Sequence, residues 1–411
     1  MLEKGREIDT WNEGKADVNA NPFAGMHDGS VFDVGPHLDS DSFDKLLLWS
    51  VEKKASDITL QPDIPAMADI GGKIVPVSHR ALSSAEIETA VRYVYGENGP
   101  AEVMGGGDLD PSHEIRIPGI GQVRFRVNVT GGRMIGGKGM QMTVRTLPST
   151  PIEISTLGIE PEIIENFRPE QGLILVTGPT GSGKSTLLSS GIRMLVERPD
   201  GNEKVLEYSA PVEYVYDGII MPSSIIHQTH AGRDLRPRGV ESSDEQSIFA
   251  YCVRNALRRK PTIIVIGEAR DRATIEAAVE AGLTGHLVFT TMHTIGVAET
   301  LRRAVMPFPD SVKRSMALDI MESMRMIVSQ LLLPKIGGGK VGCREFMVFG
   351  RDVREAFLRE DVEDWPRVTR RILAEERAIG RTMADSALEL LAKGLITTDT
   401  FKRVAAKGRS S

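Results

Sequence analysis

The 411-residue sequence predicts an α/β protein whose central part is a parallel sheet covered by helices. One observation is the direct succession of a strand, a glycine-rich loop and a helix across 173–196. Another is the set of further short apolar segments at 204–208, 262–268 and 284–294, which are typical of buried parallel strands. The alternation of apolar and polar residues at 123–129 indicates a second, half-buried sheet. We therefore expect an N-terminal α+β domain followed by an α/β core.

The composition excludes several classes of protein. The contents of 41% hydrophobic and 26% charged residues are those of a folded chain with about two or three domains. A net charge of −6 argues against a globally basic protein, so no direct nucleic-acid binding is expected. Cys252 and Cys343 are too few for a disulfide framework or a four-thiolate zinc site, and we expect them to be small apolar filler. No run of about 18 apolar residues and no signal-peptide core is present. We expect a cytoplasmic protein that reaches a membrane only through a partner.

The first part of the chain divides into a tail and a domain. Residues 1–40 are polar and interrupted by Gly, Pro, Asn and Asp, so we expect a mostly disordered tail. Residues 41–147 predict an N-terminal α+β domain, because helical periodicity alternates there with short β-type segments. Its predicted elements are a helix at 43–54, a strand pair at 66–70 and 73–77 joined by Gly71-Gly72, and a helix at 83–95.

The alternation at 123–129 places Arg124, Arg126 and Asn128 on one face of a strand and apolar residues on the other. Two interpretations remain open. The arginines belong to a solvated polar face, or they present a basic face to a nucleotide in a neighbouring subunit. The pattern alone favours the solvated face, which half-buried strands normally have.

The rest of the chain divides into three parts. Residues 148–172 are rich in proline and predict an interdomain connector. Residues 173–335 form the predicted α/β core, and residues 336–411 a C-terminal helical region with a basic tail. Within the core, a three-to-four spacing of apolar residues predicts one long helix over 311–333.

The loop after the first core strand fits G-x-x-x-x-G-K-[ST], the pattern of a phosphate-binding loop, without a mismatch. The predicted nucleotide-binding residues are Gly178, Pro179, Thr180, Gly181, Ser182, Gly183, Lys184, Ser185 and the adjoining Thr186. Glycines let backbone N–H groups converge on phosphate oxygens, and the helix N-terminus adds partial positive charge. Lys184 is expected to reach the β- and γ-phosphates, and the Ser185 hydroxyl to ligate Mg²⁺.

The apolar strand at 262–268 ends in Glu268. A carboxylate at the carboxyl end of a parallel strand lies beside the phosphates, where it can act on Mg²⁺ or on the attacking water. The alternative is an acid that caps the helix near Arg272. The distance in sequence from the phosphate-binding loop favours the catalytic role.

The segment at 284–294 has a histidine at each end. The polar residues that follow its strand are suited to sensing a γ-phosphate, so we predict a catalytic role for His293. His286 is added to the nucleotide-binding set. A structural role remains the alternative for both, because a lone histidine is more often structural.

Several ordered segments beyond the phosphate-binding loop resemble the secretion and pilus motor ATPases typified by PilT and GspE, within the RecA-like group. They are 56–60 (family SDIHL), 123–128 (RxRxN), 266–271 (VGExRD), 284–294 (TGHLVFxTLHT) and 380–385 (GMQTMD). Inside this family the chain is most similar to the DotB-type ATPases of type IVB secretion and the TraJ-type ATPases of plasmid conjugation. That likeness lies in Leu46-Leu47-Leu48-Trp49 and in 208–213, which replaces the family's IEDPIE.

The resemblance implies a RecA-like core, an N-terminal PAS-like domain and a homohexamer that binds ATP and Mg²⁺. It implies that Arg124 and Arg126 reach the triphosphate across a domain or subunit boundary, that Glu268 acts on water and that His293 senses the γ-phosphate. The ring would dock on an inner-membrane secretion or conjugation complex. In the acidic segment, Ser209 stands where the family has a glutamate before proline, and Glu207 is predicted to serve in its place.

Three other functions remain open. A type IV pilus retraction ATPase has the same chemistry. A DNA translocase would need a basic pore, of which the sequence shows only short clusters. The substituted acidic segment leaves open a nucleotide-binding assembly scaffold with little hydrolysis.

Overall fold

The computed structural model describes residues 31–117, 121–134, 137–148, 150–237, 245–375 and 378–410. The chain separates into two compact units, residues 1–149 and residues 150–411. Of the helices described, none is both long and apolar enough to cross a lipid bilayer.

The first unit is an α+β structure. In chain order its elements are α1 (Ser40–Glu52), β1 (Ala55–Leu60), β2 (Pro65–Ile70), β3 (Lys73–Ala81), α2 (Ser84–Tyr95), α3 (Gly99–Met104), β4 (Asp108–Leu109), β5 (Ser112–Ile117), β6 (Gly121–Met134) and β7 (Gly137–Leu147). Among the described residues these strands form one seven-stranded antiparallel sheet, ordered β3-β2-β1-β7-β6-β4, with β5 paired to β6. Helix α2 begins at a capping box, in which the Ser83 hydroxyl accepts from the Glu86 amide and the Glu86 side chain accepts from the Ser83 amide.

The segment before α1 differs from the predicted tail. Residues 1–30 lie outside the described residues. Phe32, Val34 and Leu38 are buried in the core of the first unit, and the Phe32 amide donates to the Val77 carbonyl oxygen. Residues 31–39 are therefore part of the fold, because they add apolar surface that the polar composition of the tail conceals.

The second unit is built on a doubly covered sheet. After a 3₁₀ turn at Ile154–Leu157, its elements are α4 (Pro161–Glu165), β8 (Gly172–Thr177), α5 (Lys184–Val196), β9 (Lys204–Ser209), β10 (Ile225–His230), α6 (Glu245–Leu257), β11 (Ile263–Ile266), α7 (Arg272–Leu283), β12 (Leu287–Met292), α8 (Val297–Val305), α9 (Asp310–Ser323), β13 (Met324–Pro334), β14 (Lys340–Val348), α10 (Arg351–Leu358), a 3₁₀ turn at Val362–Asp364, α11 (Trp365–Ala374), β15 (Gly380–Arg381), α12 (Met383–Ala392) and α13 (Thr398–Ser410).

Within the described ranges, this sheet has eight strands in the order β10-β9-β11-β12-β8-β13-β14-β15. Strands β10 to β13 pair in parallel, and β14 and β15 continue the sheet antiparallel. One apolar cluster beneath α5 and another beneath α6 to α9 cover its two faces. The carboxyl ends of β8, β9, β11 and β12 therefore meet at one edge, where α/β sheets bind ligands.

The predicted connector is integrated into this unit. Ile154, Ile163 and Phe167 of the 148–172 segment are buried against the β8–α5 side of the sheet. The Phe167 ring also stacks on the Phe289 ring of β12, at 4.9 Å between centroids. The segment is thus anchored by apolar burial that its proline content did not indicate.

One prediction at the C-terminal end of the core is wrong. The helix predicted for 311–333 ends at Ser323, and the following residues form β13, which pairs in parallel with β8. A run that is apolar on both faces satisfies helical and strand spacing alike, so only the pairing with β8 decides between them. Strands β14 and β15 extend the core sheet, and helices α10 to α13 form the predicted C-terminal helical region.

Both cysteine side chains are buried, Cys252 in α6 and Cys343 in β14. Burial raises the pKa of the Cys252 thiol to about 12 and also raises the pKa of Cys343. Because the thiolate is the reactive form, neither residue can be a nucleophile in the folded protein at neutral pH.

We therefore expect iodoacetamide at pH 8 to leave both thiols unmodified in the folded protein and to alkylate both after unfolding in urea. Mass spectrometry of the two cysteine peptides, with and without urea, measures this. Rapid modification of either peptide in the native sample would contradict the buried positions.

Candidate functional site

The loop between β8 and α5 has the geometry of an anion-binding site. Gly183 caps α5 with a left-handed backbone (φ 81°) and no side-chain cap, so the first amides of the helix are left to an external acceptor. The Ser182 hydroxyl of this loop is buried and has no hydrogen-bond partner among the described residues. These features fit the phosphates of a nucleotide, whose oxygens are acceptors.

Lys184, at the first position of α5, is only 8% exposed. Its ammonium donates to the carbonyl oxygens of Gly178 (2.8 Å) and Pro179 (3.1 Å), which holds it over the loop. Burial lowers the pKa of Lys184, and the charges of Glu268 and Glu213 oppose that shift. Two carboxylates therefore lie near enough to this ammonium to act on it electrostatically.

Glu268 follows β11 and lies at the same sheet edge. Its side chain is 17% exposed; one oxygen is 2.7 Å from Arg270 Nε and the other 3.4 Å from His293 Nε2. The backbone there is fixed by the Thr291 hydroxyl, which donates to the Gly267 carbonyl oxygen at 2.6 Å. Because β12 lies between β11 and β8, Glu268, His293 and the loop lie at the same edge of the sheet.

His286 is not part of this group within one chain. It precedes β12, whereas His293 follows it, and its Nδ1 lies 3.3 Å from the Ala281 carbonyl oxygen. The register pairs the start of β12 with Gly172 and its end with Thr177, next to the loop. A strand of this length separates the two histidines by about 20 Å. His286 therefore lies at the opposite edge of the sheet from the phosphate-binding loop of the same chain.

Glu207 lies near the sheet edge that carries the phosphate-binding loop, but its side chain is buried. It lies in β9, is 9% exposed, and accepts from the Ser209 hydroxyl and from Gln228 Nε2, each at 2.8 Å. Gln228 Nε2 also donates to the Tyr214 carbonyl oxygen at 2.7 Å. Glu207 is thus linked through Gln228 to the 210–216 segment, while its other carboxylate oxygen accepts from Ser209 of the same strand.

That segment carries two residues that sequence reasoning missed. Glu213 is the second carboxylate acting on Lys184, and the Tyr214 hydroxyl lies 2.8 Å from the Thr186 hydroxyl of α5. Burial raises the pKa of Tyr214, so its hydroxyl stays protonated at neutral pH. The signal was present, since the acidic segment at 208–213 resembles the family's IEDPIE in its final glutamate.

The two predicted arginines belong to the first unit. Arg124 is buried, and its Nε donates to Glu114 at 2.9 Å, so this residue is not on a solvated face. Arg126 is exposed and pairs with Asp110 through Nε (3.0 Å) and a terminal nitrogen (2.6 Å). Each guanidinium is thus held by a carboxylate of its own unit.

Residues 110–383 match the family model described as "Type II/IV secretion system protein". The chain is 31% identical to the type IV pilus retraction ATPase PilT of Pseudomonas aeruginosa, over 88% of this chain and 97% of that protein. Its structure is similar to the Legionella pneumophila ATPase DotB, with a TM-score of 0.81, 38% identity, and coverage of 91% and 98%. A second solved structure, the pilus retraction motor PilT with bound ADP, gives a TM-score of 0.73, 30% identity, and coverage of 88% and 96%.

The loop glycines supply a stability test. Gly181 (φ 74°) and Gly183 (φ 81°) share the left-handed backbone, but a methyl group on Gly181 meets open space, whereas one on Gly183 would lie 2.8 Å from Gln330 Nε2. Gln330 cannot retreat without losing a 2.7 Å hydrogen bond to the Ser182 carbonyl oxygen. Gly181→Ala should lower the free energy of unfolding by about 1–2 kcal/mol. Gly183→Ala should lower it by roughly 1–3 kcal/mol more.

Urea unfolding without nucleotide measures both values, and Gly181→Ala is the matched control for backbone strain. Equal losses in the two variants would show that Gln330 does not pack against the loop as described.

Proposed function

Because this chain belongs to the type II/IV secretion system protein family, we propose that it is the ATP-hydrolysing motor of a type IVB secretion or conjugative plasmid transfer apparatus. The observation that carries hydrolysis is the position of Glu268 after β11, at the same sheet edge as the phosphate-binding loop and 3.4 Å from His293 Nε2. A lysine for the phosphates and acids for the water are the parts that phosphoryl transfer to water requires.

Lys184 and the amides at the start of α5 bind the triphosphate and neutralise its charge. Glu268 orients the attacking water and accepts its proton. Arg270 and His293 hold the two oxygens of Glu268 in place. His293 lies at the end of β12 beside the loop, where its ring responds to the γ-phosphate through Glu268.

The Ser185 hydroxyl and the phosphate oxygens would hold Mg²⁺, a hard cation that binds through oxygen and keeps several waters. Ser185 is next to Lys184 in the first turn of α5, so the residues fit this metal. When bound, Mg²⁺ supplies charge neutralisation at the phosphates. The described residues contain no cluster of three or more His, Cys, Asp or Glu side chains suited to a metal.

We propose a homohexamer in which Arg124 and Arg126 act on the triphosphate held by a neighbouring copy. Each guanidinium must then exchange Glu114 or Asp110 for phosphate oxygens, which are also acceptors for its fork of donors. The ring is cytoplasmic and docks on an inner-membrane complex through partner proteins.

The likeness to DotB favours the type IVB or conjugation apparatus, with 38% identity against 30% for the solved PilT structure. Pilus retraction is the second candidate, favoured by the match to 97% of the Pseudomonas aeruginosa PilT. A nucleotide-binding scaffold stays a third candidate, because Ser209 stands where the family has a glutamate.

Phosphate release with ATP and Mg²⁺ tests the hydrolytic site. We expect Glu268→Gln to keep ATP binding and to lower kcat by about 10²–10⁴-fold, because the amide cannot accept the proton. Glu213→Gln should also lower kcat, and Lys184→Ala should lose nucleotide affinity. Glu207→Gln should cost less than about tenfold, since Glu207 holds a segment by accepting hydrogen bonds and an amide oxygen still accepts.

Glu207→Gln is the control that separates the two acidic positions. A loss as large as that of Glu268→Gln would make Glu207 catalytic, as the sequence predicted. A wild-type hexamer that binds ATP but releases no phosphate, even with its membrane partners present, would refute the proposed motor function and favour the nucleotide-binding scaffold.

Deletion of the gene in its own host separates the two apparatuses. We expect loss of conjugative transfer or of effector export, restored by wild type and not by Glu268→Gln, with surface motility unchanged. Loss of twitching motility alone would instead assign the chain to pilus retraction.

A further inference from the structure

A series of buried hydrogen bonds connects the phosphate-binding loop to the segment before β8. Gln330 of β13 donates from Nε2 to the Ser182 carbonyl oxygen at 2.7 Å, and Arg344 of β14 donates from Nε to Gln330 Oε1 at 2.7 Å. Gln330 is 4% exposed and Arg344 is 3% exposed. None of these contacts is part of the hydrolytic site described above.

The chemistry of the groups determines which atom of the Gln330 amide donates and which accepts. A guanidinium only donates, so the amide oxygen of Gln330 must face Arg344 and its NH₂ must face the loop. No other orientation of the amide satisfies both neighbours. Gln330 is therefore a specific donor to the Ser182 carbonyl oxygen.

That contact determines where one loop amide points. The Ser182 carbonyl and the Gly183 N–H belong to one peptide group, which is planar and trans, so they point in opposite directions. Gln330 holds the carbonyl toward the core, and the Gly183 N–H is thereby aimed outward, as a phosphate-binding amide must be. Gly178 also packs on this residue, because a methyl group there would lie 2.3 Å from the Gln330 carbonyl oxygen.

This series of hydrogen bonds ends in the segment before β8. Arg344 donates to the Gly158 carbonyl oxygen and to Glu160, each at 3.1 Å, and to the Leu157 carbonyl oxygen at 3.3 Å. Glu160 also accepts from Arg381 at 3.4 Å. This gives a contact to the 380–385 segment, which resembled the family but had no part in the hydrolytic site.

We propose that Gln330, Arg344 and Glu160 are positioning residues that hold the Ser182–Gly183 peptide in its phosphate-binding orientation and couple the loop to residues 157–160. The coupling follows from burial, because a buried guanidinium that loses one partner is left with an uncompensated charge and drives rearrangement of the others. The proposal rests on the proposed function only in taking a nucleoside diphosphate or triphosphate as the ligand.

The test uses the full chain, fluorescent ADP for affinity and hydrogen exchange for the two ends. Gln330→Met keeps the shape but loses the donor, and should weaken ADP binding about tenfold or more. Gln330→Glu should weaken it further, because it sets an anion against the Ser182 carbonyl oxygen. Glu160→Ala, two side chains away from the loop, should also weaken it. The double variant Gln330→Met/Glu160→Ala should be no weaker than Gln330→Met alone.

Cys343→Ala is the matched control, since it empties a buried position on the same strand as Arg344. It should lower the melting temperature and leave ADP affinity unchanged. Gln330→Met should also speed amide exchange at Gly183 in the ADP-bound protein and at 157–160 with or without ADP, whereas Cys343→Ala should not.

Wild-type ADP affinity in Gln330→Met, or losses that simply add in the double variant, would overturn the proposal. So would unchanged exchange at 157–160. Measurements of ADP binding and of amide hydrogen exchange do not require ATP hydrolysis. A protein that bound ADP without hydrolysing ATP would therefore refute the proposed motor function and leave this test valid.

Discussion

The second unit is organised around a buried positive charge. Lys184 loses most of its hydration at the start of α5, and a buried ammonium is tolerated only where acceptors and opposite charges surround it. Two loop carbonyl oxygens and two carboxylates meet that requirement. They come from β8, from the segment after β9 and from β11, so the parallel pairing of these strands is what brings them within reach of one side chain.

The loop and the parallel sheet could be predicted because each depends on local residues. A glycine pattern between an apolar strand and a helix leaves few alternatives, and Glu268 and His293 follow strands that lie in register with β8. What could not be predicted depends on tertiary contacts. β13 became a strand through pairing with β8, which is far away in sequence. Arg124 pairs with Glu114, ten residues away across the β5–β6 pair, and its burial leaves no periodic signal.

In the acidic segment around the end of β9, the carboxylate near Lys184 is not the one that the sequence spacing indicated. Sequence spacing pointed to Glu207 because i and i+2 share a face of a strand. In the fold, Ser209 and Gln228 use both oxygens of Glu207, and the carboxylate near Lys184 is Glu213, beyond the end of the strand. Glu207 and Gln228 hold the segment that presents Glu213. Glu207 therefore supports the position of Glu213 through hydrogen bonds that a glutamine at the same position could also accept.

The two buried thiols have a practical consequence for watching such a protein move. A cysteine introduced on an exposed helix would be the reactive thiol against a background of protonated, inaccessible ones. Fluorophores or spin labels could then be placed one per unit without first replacing Cys252 or Cys343, each of which fills space in a packed core. Distances between labels, followed through ATP turnover, would report whether the two units move relative to one another while the native interior is left intact.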